Sequence, residues 1–152
     1  MIHSFQTSTI IPSDVLDVFA FFSNASNLER ITPPELHFRI VTPLPIKMGE
    51  GAVIDYRLRL HGIPFKWSTL ITRWNPPHRF VDVQERGPYK EWVHTHHFIE
   101  YTDGTKMIDE VLYRLPFWPV GEIFCPFIHH QLSRIFRFRE KAVQAVRAGF
   151  QG

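Results

Sequence analysis

Between Glu35 and Leu115 the apolar residues alternate with period two, in six runs separated by turn residues; from 121 to 148 their spacing changes to three or four. Alternating runs make strands with one apolar face, and a run at helical spacing makes an amphipathic helix. The runs are "ELHFRIVT", "GAVIDYRLRL", "IPFKWSTLITRW", "RFVDVQER", "EWVHTHHFIEY" and "TKMIDEVLYRL". His61-Gly62, Asn75-Pro76-Pro77, Gly87-Pro88 and Asp103-Gly104 punctuate them. In the second run Asp55, Arg57 and Arg59 take one face and Ile54, Tyr56, Leu58 and Leu60 the other, so the sheet is wet on one side. Its apolar face needs a cover, and the only long element on offer is the last helix. There Ile128, Leu132, Ile135, Phe136, Val143 and Val146 form the apolar stripe, with Arg134, Arg137, Lys141 and Arg147 mostly between them as a solvated face.

The amino-terminal part adds one strand and two short helices. Residues 3–11 alternate and end at Pro12, which predicts an edge strand. A helix follows, with Ser13 as its cap, Asp14 at the positive end of its dipole and Val15, Val18, Phe19 and Phe22 on its buried side, and Asn24 stops it. "ASNLERITPP" predicts a second short helix, capped by Ser26 and broken by Pro33-Pro34. The expected fold is α+β: one domain over 1–152, with a curved seven-stranded antiparallel sheet, two short helices and a long C-terminal helix that together enclose a space.

Composition limits what such a space is for. Aromatic residues make up 14% of the chain, including 14 Phe, which suits flat apolar walls. The net charge of +2 comes from scattered Lys and Arg, which does not fit a nucleic-acid surface. The single cysteine, Cys125, excludes an internal disulfide and offers no metal-thiolate spacing. No signal peptide or membrane span is read, and the expected location is cytoplasmic. Gly49, Gly51 and Gly62 show no phosphate-binding pattern.

This order of elements is that of the helix-grip fold, and the chain over residues 3–146 resembles the START-like superfamily that includes the major birch pollen allergen, polyketide cyclases and coenzyme-Q-binding proteins. "LERITPPELHFRIV", "RWNPPHRFVDVQERGPYKEWVHTHHF" and "DEVLYRLPFWPVG" are similar to a bacterial branch of small SRPBCC proteins. The resemblance implies a deep hydrophobic cavity between the sheet and the last helix, an organic ligand and no bound cofactor.

Alternation places Trp92, His94, His96 and Phe98 on one face and Val93, Thr95, His97 and Ile99 on the other. Neither set is purely apolar, and the resemblance points the Trp92 set inward. Neighbouring strands then offer Phe80, Asp82, Gln84 and Arg86 on one side and Asp109, Val111 and Tyr113 on the other. Three readings of this cluster compete. The imidazoles and carboxylates form a satisfied network, closed by Gln84, that orients a ligand. Alternatively, His94 or His96 acts as a general base oriented by Asp82 or Asp109, taking a proton from a carbon beside a carbonyl. Or His94 and His96, two apart on a strand, share a metal ion, the least favoured of the three.

The predicted ligand-binding set is Tyr56, Phe65, Trp67, Gln84, Trp92, His94, His96, Phe98 and Tyr113 from the sheet, with Leu132, Ile135 and Phe136 from the helix. Ile71 shares the inner surface, and for Tyr56, Phe65, Trp67 or Ile71 taken singly an ordinary core position is favoured over ligand contact. The expected partner is a hydrophobic or amphipathic small molecule, with no metal and no nucleic acid. "LPFWPVGEIFCPFI", residues 115–128, is expected to be buried as the mouth of the cavity; exposed, it would be a patch for transient membrane contact.

Overall fold

The strands that the alternation predicts form one sheet, seen here in a computed structural model that describes residues 1–146. They are β1 (His3–Ile11), β2 (Arg39–Ile40), β3 (Val53–Leu60), β4 (Ile63–Asn75), β5 (Arg79–Arg86), β6 (Glu91–Tyr101) and β7 (Gly104–Arg114), with helices α1 (Val15–Phe22) and α2 (Cys125–Val146). Arg147 and the side chain of Val146, both assigned to the last helix from sequence, lie outside the described residues. The spatial order is β1-β7-β6-β5-β4-β3-β2, antiparallel throughout. β1 is an edge strand and pairs along its whole length with β7, from His3 opposite Tyr113 to Ile11 opposite Thr105. In β3 the charged residues are exposed, whereas Ile54 and Leu58 are buried and Tyr56 and Leu60 half-buried, as a sheet wet on one side requires. The β4–β5 ladder shifts register between Ser68 and Thr69 and again between Ile71 and Arg73. Such irregularities bend a strand and add curvature.

Three local expectations are corrected. Asp14 caps α1, its Oδ1 accepting from the Leu16 N–H at 2.8 Å, whereas the carbonyl of Ser13, the expected cap, accepts from Thr105 Oγ1 at 2.8 Å. The predicted second helix is a chain of 3₁₀ turns (Ala25–Asn27, Glu29–Ile31, Pro34–Leu36), opened by Asn24 rather than Ser26. "ELHFRIVT" contributes only two residues of strand, because Pro34–Leu36 is a 3₁₀ turn and His37 turns the chain at a left-handed φ of 46°.

Two apolar clusters share the inner face of the sheet. One, under α1, holds Ile11, Val18, Phe19, Phe22, Phe80, Phe98 and Met107, with Val143 from the far end of α2. The other, under the first half of α2, holds Trp67, Tyr89, Trp92, Val111, Tyr113, Leu132 and Phe136.

Candidate functional site

The two clusters leave a cavity of about 150 Å³ between them. Tyr56, Trp67, Trp92, Leu132, Ile135 and Phe136 line it, together with Asp82, His94 and His96. The outer wall comes from the 3₁₀ segment through Leu28, Thr32 and Leu36, and an ion pair between Glu35 and Arg134 ties that segment to α2. The Tyr56 and Trp67 rings stack with centroids 5.9 Å apart, and Trp92 stands edge-on to Trp67 at 5.3 Å. A ligand entering this space meets the flat faces and edges of rings.

Register brings the polar groups together. On β6, His96 stands opposite Phe80 of β5 and Asp109 of β7, while His94 stands opposite Asp82 and Val111. His94 Nε2 meets Asp109 Oδ1 at 2.8 Å, and His96 Nε2 meets Asp82 Oδ2 at 2.6 Å. His94 Nδ1 is 3.9 Å from Asp82 Oδ2, and His96 Nδ1 is 3.4 Å from Asp109 Oδ1 without hydrogen-bond geometry. The two imidazoles stack at 3.7 Å, and His96 stacks on Phe80 at 4.0 Å. This is a buried four-membered acid–imidazole cluster with its aromatic sides already occupied.

The environment drives the two histidines apart. Burial and the neighbouring His96 charge hold His94 below its ordinary value, against the pull of Asp109 and Asp82. Burial also disfavours charge on His96, but there the two carboxylates prevail and its pKa is raised. Burial would raise both carboxyls; hydrogen bonds and charge from the histidines outweigh it and hold Asp82 and Asp109 below the usual range. The cluster therefore sets two carboxylates beside a pair of imidazoles of which His96 takes a proton more readily than His94.

Several predicted residues stand elsewhere. Gln84 does not close the network: its side chain clamps the β5–β6 turn, donating to the Tyr89 carbonyl at 2.8 Å and accepting from the Tyr89 N–H at 3.1 Å. Phe98 belongs to the closed cluster against Phe19 and does not line the cavity. Phe65 sits half-buried near the start of β4, opposite Leu58, which takes the cavity position in its place. The Tyr113 ring packs against Tyr89 and Trp92 but borders a different groove, at the start of α2. Asp109 lies behind the histidines, 2% exposed.

The 115–128 segment does not form the mouth. Phe117, Trp118, Val120, Ile123, Phe124 and Phe127 are exposed, and none lines the cavity. Here the chain folds on itself instead. The Gly121 N–H donates to the Phe117 carbonyl, and the backbone of Gly121 packs so closely on the Pro116 carbonyl that no Cβ would fit.

Arg139 was missed. It lines the cavity beside Phe136, with its guanidinium 5.1 Å over that ring, and its Nε has no hydrogen-bond partner among the described residues. Trp67 Nε1 is likewise buried and unpartnered, while Tyr56 Oη and Thr69 Oγ1 share a hydrogen bond at 3.2 Å. The signal for Arg139 lay in the heptad-like run Leu132, Phe136, Arg139, Val143, which puts one cation on the apolar stripe. Asp82, His94 and His96 each offer a ligand atom within 4.8 Å of the others, so these three could hold a divalent ion, with Asp109 orienting His94 behind them. The positive charge of Arg139 beside Asp82 works against that use.

Sheet, flanking short helices and long gripping helix define the helix-grip, or START-like, fold. No protein-family model and no curated protein matches the sequence. The fold is similar to that of the Zhui aromatase/cyclase from Streptomyces sp. R1128, at a TM-score of 0.78 and 11% identity over 97% of this chain and 94% of that one. It is also similar to a protein from Thermus thermophilus (TM-score 0.74, 15% identity, 95% and 99% of the two chains) and to major latex-like protein 151 from Panax ginseng (0.68, 12%, 97% and 98%). At these identities the likeness establishes the fold.

Proposed function

We propose that the protein binds a hydrophobic or amphipathic small molecule of lipid, quinone or polyketide type, held by an acceptor oxygen, in the cavity between sheet and α2. The observation that carries this is the pair of unpartnered donors, Trp67 Nε1 and Arg139 Nε, buried among aromatic walls. A buried donor without an acceptor costs about 1–3 kcal/mol, which a ligand carboxylate, phenolate or carbonyl recovers on binding. The cavity of about 150 Å³ admits a ring or two; drug-sized ligands occupy roughly 300–1,000 Å³, so a longer molecule requires α2 and the 3₁₀ segment to part. Titration with 2-naphthoate, followed by quenching of tryptophan fluorescence, tests the reading. One saturable site weakened by Arg139→Met supports it, and an unsaturable or unchanged signal removes it.

A second reading has its own observation. Asp109 occupies Nε2 of His94, leaving Nδ1 as its basic nitrogen, while His96, the more readily protonated of the two, stands beside it as the candidate acid. Two like groups driven apart in this way suit proton transfer at a carbon next to a carbonyl, as in a cofactor-independent cyclase or isomerase. Deuterium exchange at the methyl group of acetophenone reads it directly. His94→Gln should lower any catalysed exchange by about a hundredfold or more; exchange equal to wild type rules out His94 as the base. Exposure of Phe117, Trp118 and Phe124 further supports transient docking on a lipid surface, and equal flotation with liposomes by wild type and a Trp118→Ser, Phe124→Ser variant would remove that element.

A further inference from the structure

We propose that Cys125, His3 and Glu122 form a second, thiol-based site that accepts an acyl group from a low-molecular-weight acyl thioester. The site lies in an open groove at the start of α2, and none of its residues lines the cavity. Three elements build it: β1 brings His3, the 3₁₀ turn Val120–Phe124 brings Glu122, and α2 opens at Cys125.

His3 stands between the other two. Its Nε2 meets Glu122 Oε2 at 2.5 Å, and its Nδ1 lies 3.3 Å from Cys125 Sγ. The carboxylate fixes the proton on Nε2 and leaves Nδ1 as the acceptor that faces the thiol, the arrangement that activates a cysteine nucleophile.

A fourth group points to the electrophile. Tyr113 is 1% exposed, lines the same groove, stacks its ring 5.3 Å from that of His3 and holds its buried Oη beside the Cys125 thiol. Burial and the neighbouring Cys125 push the hydroxyl above its ordinary value, so it stays a donor. A disulfide has no oxygen for that donor to serve, whereas a thioester carbonyl does. Met1 and Pro126 line the groove, and Phe124 and Phe127 on either side of the helix start are exposed, which favours an apolar acyl chain.

The step balances without a further reactant. Cys125 Sγ gives its proton to His3 Nδ1 and bonds to the carbonyl carbon, Tyr113 Oη donates to the carbonyl oxygen, and the carbon–sulfur bond to the leaving thiol breaks. That thiolate takes the proton from His3. The same three side chains each offer one ligand atom within 4.8 Å of the others and could hold a metal ion instead, so zinc is the competing occupant that the test must separate.

The test is incubation of the full chain with S-octanoyl-N-acetylcysteamine, followed by intact-mass and peptide mapping, alongside zinc titration. One octanoyl group on Cys125 is expected, absent in Cys125→Ser and formed at least about tenfold more slowly in His3→Gln. Glu122→Gln, a partly exposed change with a melting curve to confirm folding, should slow it too. No adduct, acylation of His3→Gln and Glu122→Gln at the wild-type rate, or one zinc per chain that requires Cys125 and blocks labelling would each overturn the assignment.

Discussion

Strand β6 runs through two different interiors. At Phe98 its inward face meets Phe19 and Phe22 of α1 in a closed apolar cluster; at Trp92 it packs edge-on to Trp67 in the wall of a cavity. His94 and His96 stand between, with His96 stacked on Phe80 of the closed side and Trp92 edge-on to His94 on the open side. Strand, face and alternation are the same at both ends, and the cover differs. α1 and the far end of α2 fill one end with Val18, Phe19, Phe22 and Val143, whereas the first half of α2 and the 3₁₀ segment cover the other with Leu132, Phe136 and Leu36. Close packing and open space thereby lie at opposite ends of one sheet, and a buried ionic cluster marks the border. Close-packed interiors hold few voids, so a cavity of this size marks where α2 and the 3₁₀ segment leave the inner face of the sheet incompletely filled.

The largest expected effect breaks the closed end. Phe98→Ala should cost about 3–5 kcal/mol in chemical denaturation while leaving the affinity of the folded protein for 2-naphthoate within about tenfold. An affinity that collapses together with stability would mean that the two ends are not separable.

Next comes the border. Asp109→Asn removes the charge that holds both histidines and should cost about 1–3 kcal/mol near neutral pH. The pH profile carries the sign. His96 is raised, so its contribution is full below its ordinary 6.5 and is lost as pH rises through the folded value. Asp82 and Asp109 are lowered, so theirs is present above 3.8 and lost as pH falls through their folded values. His94, held low, adds an acid-side loss below 6.5, because the folded state resists its protonation. Melting temperatures should therefore fall on both sides of an intermediate plateau, and His96→Gln should erase the alkaline limb. An alkaline limb unchanged in that variant would place its origin outside the cluster.

The smallest effect on stability, and the sharpest on binding, is expected at the open end. Trp67→Phe keeps an aromatic wall and should cost less than about 1.5 kcal/mol, while loss of the Nε1 donor weakens 2-naphthoate about tenfold or more. Equal binding by both forms would remove Trp67 from the ligand contacts.

Much of this division is written in the sequence. Alternation alone separated Trp92, His94, His96 and Phe98 from their neighbours, and the turn residues delimited β3 to β7. Alternation gives a side of the sheet but no position along it, so Phe98 was placed in the cavity wall although it lies under α1. The same limit misplaced Gln84 and Tyr113, both on the inner face but one clamped to a turn and the other turned toward the start of α2. Arg139 was legible from its helical spacing, yet a cation on a basic helix reads first as solvated. Cys125 and His3 are separated by 122 positions, and nothing local to either announces their meeting. The 115–128 segment follows no period, so its burial depended on how its prolines and Gly121 fold it back, and it proved exposed.

The most direct test of the central claim is a native mass spectrum of the chain, first as purified and then with 2-naphthoate added. One bound molecule per chain is expected, either a co-purified compound that extracts into organic solvent or the added naphthoate, with binding weakened in Arg139→Met and Trp67→Phe. A bare polypeptide mass in both spectra would contradict that claim.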